Sequence, residues 1–154
     1  MSTSPSRMET DTESRPEETD MLRGLATLTF YADDLEAARA WYTEFLGIEP
    51  YYAVAGGYYE WRIGDYQAEF GIVNRAYEPA GAADGPGGAI ANWAVTDLEA
   101  TVDRLLELGA TLYDPITPRG EGFVTASVVD PFGNVLGVMS NPHYAEILAK
   151  TGPA

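Results

Sequence analysis

Two glutamates carry the strongest chemical signal in this chain. Glu60 lies in the strand-like stretch Tyr58–Ile63, and Glu69 lies in the stretch Tyr66–Val73. Gly64-Asp65 between them suits a tight hairpin turn. With those two residues as the loop, Ile63 pairs with Tyr66, Arg62 opposes Gln67, Trp61 opposes Ala68, and Glu60 opposes Glu69. Like charges directly opposite on a sheet are unfavourable, so this register needs a compensating group. Arg62 can pair with one carboxylate. One Glu can keep its proton and serve as an acid or base. A cationic ligand can sit between the two, or the face can be solvated and the pair tolerated.

Much other chemistry is excluded. The chain has no cysteine, which removes disulfides, thiolate metal sites and cysteine nucleophiles. Its single histidine, His143, cannot supply a two-histidine site within one chain, and no Ser-His-Asp set forms without a placed histidine. Beside Pro142 it reads as a surface or packing residue. No GxxxxGK phosphate loop is present. Arg119, in a Gly-flanked loop, can reach an anionic group, but a solvated loop arginine is the simpler reading.

With 24 acidic and 9 basic residues the net charge is -15, which makes nucleic acid a poor partner. The charge favours solubility and would attract cationic ligands. No apolar run approaches membrane-spanning length, and the first residues lack the basic-then-apolar order of a secretory signal. No membrane partner and a cytoplasmic location are therefore expected.

The elements that must position the glutamates come from a repeat. Thr27 to Tyr31 runs into Asp34-Leu35-Glu36-Ala37, and Ile90 to Ala94 runs into Asp97-Leu98-Glu99-Ala100, 63 residues on. Each copy predicts a strand followed by a helix capped by its Asp. The first helix carries Leu35, Ala38, Trp41, Tyr42 and Phe45 on one stripe and ends at Gly47. The second carries Leu98, Val102, Leu105 and Leu106 and stops at Gly109. A hairpin follows each helix, the second around Asp130-Pro131-Phe132-Gly133-Asn134, and each half has a short extra strand. Pro115 and Pro118 bracket a loop that continues through Gly122.

The expected organisation is an acidic disordered tail over 1–20 and a domain over 21–154. Within the domain, one module spans about 22–78, a Gly/Pro-rich joint 79–88, a second module about 89–141, and a closing helix 142–150. Along the first hairpin Tyr59, Trp61, Ala68, Phe70 and Ile72 share a helix-facing side. Glu60, Arg62, Gln67, Glu69 and Gly71 share the other.

The doubled strand–Asp-Leu-Glu–helix unit, Trp41-Tyr42, Leu46-Gly47 and the Asp-Pro-Phe-Gly-Asn turn together resemble the vicinal oxygen chelate superfamily, over about residues 22–141. This group contains glyoxalase I, bleomycin- and fosfomycin-resistance proteins and extradiol dioxygenases. The resemblance implies an α+β fold of two βαβββ modules whose curved mixed sheets surround a cavity, often in a homodimer. It also implies four metal-ligand positions, which here hold Thr27, Glu69, Ile90 and Gly137. Ile has no donor atom, Gly has no side chain, and the Thr hydroxyl is a poor neutral ligand, so no metal and no cofactor are expected.

The expected cavity takes Thr27, Thr29 and Tyr31 from the first strand and Glu60, Arg62, Gln67 and Glu69 from the first hairpin. Ile90 and Asn92 come from the second module's first strand, and Gly137 and Met139 from its last. A metal-independent protein that binds a small organic ligand, cationic or aromatic, follows from that lining; sequestration of an antibiotic is one form. A second reading is a cofactor-free isomerase, lyase or cyclase with Glu69 or Glu60 as general base. A third is a non-catalytic scaffold or regulatory subunit.

Overall fold

The computed structural model describes residues 21–82 and 84–152. The tail expected over 1–20 lies outside the described residues. The first half contains β1 (Thr27–Ala32), α1 (Leu35–Leu46), β2 (Tyr52–Val54), β3 (Tyr58–Ile63) and β4 (Ala68–Asn74), then one 3-10 turn at Arg75–Tyr77. The second contains β5 (Ala91–Ala94), α2 (Leu98–Glu107), β6 (Thr111–Gly120), β7 (Phe123–Val129), β8 (Val135–Ser140) and the closing helix α3 (Pro142–Thr151). Two curved mixed sheets result, ordered β1-β4-β3-β2 and β5-β8-β7-β6. The repeat is thus a repeat of structure, with the parallel pair β1–β4 matched by β5–β8.

The helix ends follow from capping chemistry. The Asp34 carboxylate accepts the Ala37 N–H at 3.0 Å, and the Asp97 carboxylate accepts that of Ala100 at 3.0 Å. Each satisfies an amide that the first turn leaves unpaired. Gly47 closes α1 in the left-handed conformation, with φ 75°.

One apolar core joins the two halves. Phe30, Tyr42, Trp61, Phe70 and Ile72 of the first half pack with Leu105, Val128, Leu136 and Val138 of the second. The Phe70 and Trp93 rings meet edge to face with centroids 6.2 Å apart. Both sheets therefore turn their helix-covered faces to a shared interior, and their other faces point away from it. The Asp-Pro-Phe-Gly-Asn turn pins this arrangement. The buried Tyr42 hydroxyl donates to Asp130 Oδ2 at 2.5 Å. Asp130 Oδ1 also accepts the N–H groups of Phe132 and Asn134. Burial, then the Asp130 charge, pushes the Tyr42 phenol well above its usual range, so it remains a donor.

Two expectations need correction. The first hairpin closes through four residues, Gly64 to Gln67, rather than through Gly64-Asp65 alone. Gly64 and Gln67 take φ 76° and 54°, and the Gln67 N–H bonds the Gly64 carbonyl at 3.1 Å. Pairing shifts by two residues: Trp61 faces Phe70, Arg62 faces Glu69, and Glu60 faces Gly71. A two-residue shift preserves which side chains share a face, so the partition into buried and open sides stands. The observed register also pairs two large buried aromatics and two opposite charges, both favourable cross-strand pairs.

The stretch around Pro115 and Pro118 is not a loop but part of the ten-residue strand β6. It lies at the sheet edge, and its register against β7 shifts at three points. Edge position and bulges are where a strand tolerates proline, because no ladder N–H is required.

Candidate functional site

The open face of the first sheet gathers the polar residues of β1, β3 and β4. Thr27, Glu69 and Arg62 lie in one row across the three strands. The Thr27 hydroxyl donates to Glu69 Oε1 at 2.8 Å, and an Arg62 guanidinium nitrogen lies 3.4 Å from Glu69 Oε2. Arg62 also stacks over the Tyr51 ring, 4.6 Å from its centroid. The next row holds Thr29, Gly71, Glu60 and Tyr52.

Glu60 is only 8% exposed although it lies on the open face. Tyrosines bury it: the Tyr51 hydroxyl donates to one carboxylate oxygen and the Tyr58 hydroxyl to the other. The Tyr58 ring covers Gly71, where a Cβ would collide with it. Desolvation, then the negative charge of Glu69, raises the Glu60 pKa above its usual range, against a lowering by Arg62. Desolvation, Glu69 and Tyr52 raise that of Tyr58. The result is a protected carboxyl with phenol donors on both oxygens, next to a second carboxylate that already has an arginine. Such a pair can hold a cation or exchange a proton with a ligand.

Sequence reasoning placed Glu60, Glu69, Arg62 and Thr27 correctly on one face but mispaired the two glutamates. It missed Tyr51 and Tyr52 altogether. Their signal was the aromatic doublet Tyr51-Tyr52 at the start of the short strand β2, whose pairing with β3 sets Tyr52 beside Glu60. Gln67 faces the turn instead, and its side-chain amide donates to the Gly64 carbonyl at 3.1 Å. Thr29 and Tyr31 share the open face of β1 with Thr27.

The second sheet's open face repeats the row pattern with Asn92, Gly137, Ser127 and Asp114. Asn92 is to β5 as Thr29 is to β1, Gly137 is to β8 as Gly71 is to β4, and Ser127 replaces Glu60. Asn92 Oδ1 and the Ile90 side chain close over Gly137, leaving no room for a Cβ. The Ser127 hydroxyl is buried without a hydrogen-bond partner among the described residues. Met139 follows Gly137 on the same face, where its sulfur accepts from Asn141 Nδ2 at 3.7 Å. No hydrogen bond or ion pair joins Ile90, Asn92, Gly137 or Met139 to the Glu60–Glu69 cluster among the described residues. Whether the two modules close a cavity within one chain or across a dimer is open in the sequence; in the structure the two faces look away from the common core as two separate open faces.

The donor set fits a metal poorly. The four positions implied by the fold provide one carboxylate, Glu69, already shared by Thr27 and Arg62. In the row equivalence the counterpart of Gly137 is Gly71, so neither hairpin provides a donor there. Among the described residues no three His, Cys, Asp or Glu side chains group closely enough to hold a metal ion.

Residues 24–138 match the family model of the Glyoxalase/Bleomycin resistance protein/Dioxygenase superfamily. The chain belongs to this superfamily. Solved structures agree on the fold. A glyoxalase-related enzyme from Fulvimarina pelagi superimposes with a TM-score of 0.62 at 23% identity, covering 79% of this chain and 90% of that one. A glyoxalase/bleomycin resistance protein from Catenulispora acidiphila gives 0.56 at 25% identity, covering 77% and 100%. The fosfomycin resistance protein FosX from Mesorhizobium loti gives 0.59 at 17% identity, covering 82% and 99%. No curated protein sequence matches the chain. The superfamily member described here thus shares the scaffold of these proteins, and its open-face residues must be judged on their own chemistry. Among the described residues no helix is long and apolar enough to cross a membrane.

Proposed function

We propose that this chain is a cytoplasmic, homodimeric small-molecule-binding protein that holds a cationic aromatic compound without a metal ion. The ligand would lie on the open face of the first sheet, between Glu60, Glu69 and the tyrosines, with the open face of a second copy's β5–β8 sheet covering it. Thr27, Thr29, Tyr31 and Arg62 would border it from the first sheet. Ile90, Asn92, Gly137 and Met139 would do so from the covering sheet.

The observation that carries this reading is the surroundings of Glu60. A buried carboxyl framed by Tyr51, Tyr52 and Tyr58, with a second carboxylate nearby, offers negative charge and aromatic faces together, as cation recognition requires. The net charge of -15 favours the approach of such a ligand. Exposed aromatic and aliphatic side chains on the edge strands, with Tyr52 and Val54 on β2 and Leu112, Tyr113 and Ile116 on β6, support a covering partner. Bleomycin- and fosfomycin-resistance proteins share the fold, so sequestration of an antibiotic is one form the activity would take.

Native mass spectrometry of freshly purified protein, with metal analysis of the same sample, tests the reading. The expected result is a metal-free dimer carrying an organic molecule that is lost on Glu69→Gln. A stoichiometric metal lost on Glu69→Ala would overturn it.

The raised pKa of Glu60 favours a second reading, a cofactor-free isomerase, lyase or cyclase with Glu60 or Glu69 as general base. Conversion of the bound compound, abolished by Glu60→Gln or Glu69→Gln with binding retained, would select it.

A further inference from the structure

The opposite face of the same strands borders a cavity that the open-face site does not use. It encloses about 330 Å³ between the end of α1, the β3–β4 turn, β4, β5, β8 and the start of α3. Phe45, Ala68, Phe70, Trp93 and Val138 form its walls. Ala68 and Phe70 flank Glu69 in sequence but point to the other side of the sheet, so the cavity and the glutamate cluster are separated by the sheet itself.

Its polar rim is bridged by one hydrogen bond. The Tyr144 hydroxyl of α3 donates to Asp65 Oδ2 at 2.9 Å, and the Tyr144 ring stands edge-on to Tyr66 with centroids 5.9 Å apart. No residue of α3 is buried. Besides these contacts of Tyr144, the helix follows directly on β8 and packs His143 on Phe123, so few contacts hold it over the cavity. Elements with so few buried contacts open at low free-energy cost.

We propose that this cavity is a second binding site, for a small neutral aromatic molecule of one or two rings, and that Tyr144 is its gate. The walls fix the class. They offer aromatic faces and methyl groups for stacking and no ion to pair with a charged ligand. Among the described residues of the lining the one carboxylate, Asp65, is at the mouth and accepts the Tyr144 hydroxyl. A charged molecule would lose its hydration without compensation, whereas a planar neutral one loses little. A cavity of this size takes a bicyclic ring system.

Indole is a suitable probe. Titrated into the full chain and followed by nuclear magnetic resonance, it is expected to bind one to one, with intermolecular nuclear Overhauser effects to the methyl groups of Ala68 and Val138. Ala68→Phe fills the cavity and is expected to weaken binding by about tenfold or more. Tyr66→Ala, at an exposed position, removes one wall without burdening the core and is expected to weaken it less. Tyr144→Phe breaks the contact with Asp65 and is expected to speed association and dissociation together. Absence of Overhauser effects to Ala68 and Val138 in the wild-type protein overturns the proposal, whatever the variants do. So does indole contact confined to the Glu60 face or to a surface between two copies.

Discussion

The side-chain amide of Asn134 bonds both backbone groups of Tyr31. Its Nδ2–H donates to the Tyr31 carbonyl at 2.9 Å, and its Oδ1 accepts the Tyr31 N–H at 3.2 Å. β1 is an edge strand, so those two groups would otherwise have no strand partner. One residue of the second half thus takes the place of a missing strand beside the first. Arg75 reinforces the joint by donating to the carbonyls of Tyr31 and Phe132.

Asn134→Ala should therefore destabilise the whole domain and not merely its own turn. The Tyr31 carbonyl keeps Arg75, but the Tyr31 N–H loses its acceptor, and an unpaired part-buried backbone group costs about 1–3 kcal/mol. Asn134→Asp should be worse, because it removes the donor to Tyr31 and puts a second carboxylate against Asp130. Urea denaturation measures both. Equal stability of Asn134→Asp and the parent would show that the amide does not hold the halves together.

Local signals made the scaffold legible in the sequence. The helix caps at Asp34 and Asp97, the stop at Gly47 and the alternation in β1 each depend on a few neighbouring residues. The register of the first hairpin was not legible, because Gly64-Asp65 suits a two-residue turn while the pairing of Trp61 with Phe70 is decided by the core. The strand through Pro115 and Pro118 was hidden because proline argues against a strand except at an edge, and edge position is a property of the sheet. The glutamate face was visible from alternation alone. The outward orientation of the two open faces depends on which sides join the common core, and that contact is long-range.

Gly71→Ala probes the tyrosine cover on Glu60. A Cβ at Gly71 occupies the space of the Tyr58 ring, so Tyr58 must swing away from the carboxyl. The backbone at Gly71 is ordinary strand, and the ring can move into solvent, so the stability loss should stay near about 1 kcal/mol, at the low end of overpacking costs. The expected consequence is local: greater exposure of Glu60 and a lower pKa for it, read by carbon-13 chemical shifts of its carboxyl against pH. An unchanged titration would mean that Tyr58 does not shield Glu60.

The Tyr144 phenol should keep its proton far into the alkaline range. Burial, then the hydrogen bond and charge of Asp65, pushes its pKa up to about 12. The folded pKa lies above the usual value of 10.0, so the stabilisation is complete below that value and disappears as pH rises through about 12. Comparing tyrosinate absorbance of the parent and Tyr144→Phe across this range isolates the group. A Tyr144 contribution that ionises at the usual phenol value would contradict the contact with Asp65.

Glu60 gives the opposite pH region, and there structure and proposed function make one joint prediction. Its folded-state pKa is raised above the usual 4.5, so the folded protein retains this proton to higher pH than the unfolded chain does. The associated stability is complete below 4.5 and is lost as pH rises through the folded value. Glu60→Gln mimics the protonated form: its amide oxygen still accepts from one tyrosine hydroxyl, and its amide N–H can donate to the oxygen of the other. It should therefore gain thermal stability relative to the parent as pH increases above 4.5, with no gain below. A cationic ligand should show the reverse trend in the parent, binding more tightly as Glu60 loses its proton, and Glu60→Gln should remove that dependence. Melting curves and binding titrations over the same pH series check both halves. Parallel pH profiles for parent and variant would mean that Glu60 titrates normally, and the case for a shielded carboxyl at the centre of this site would fail.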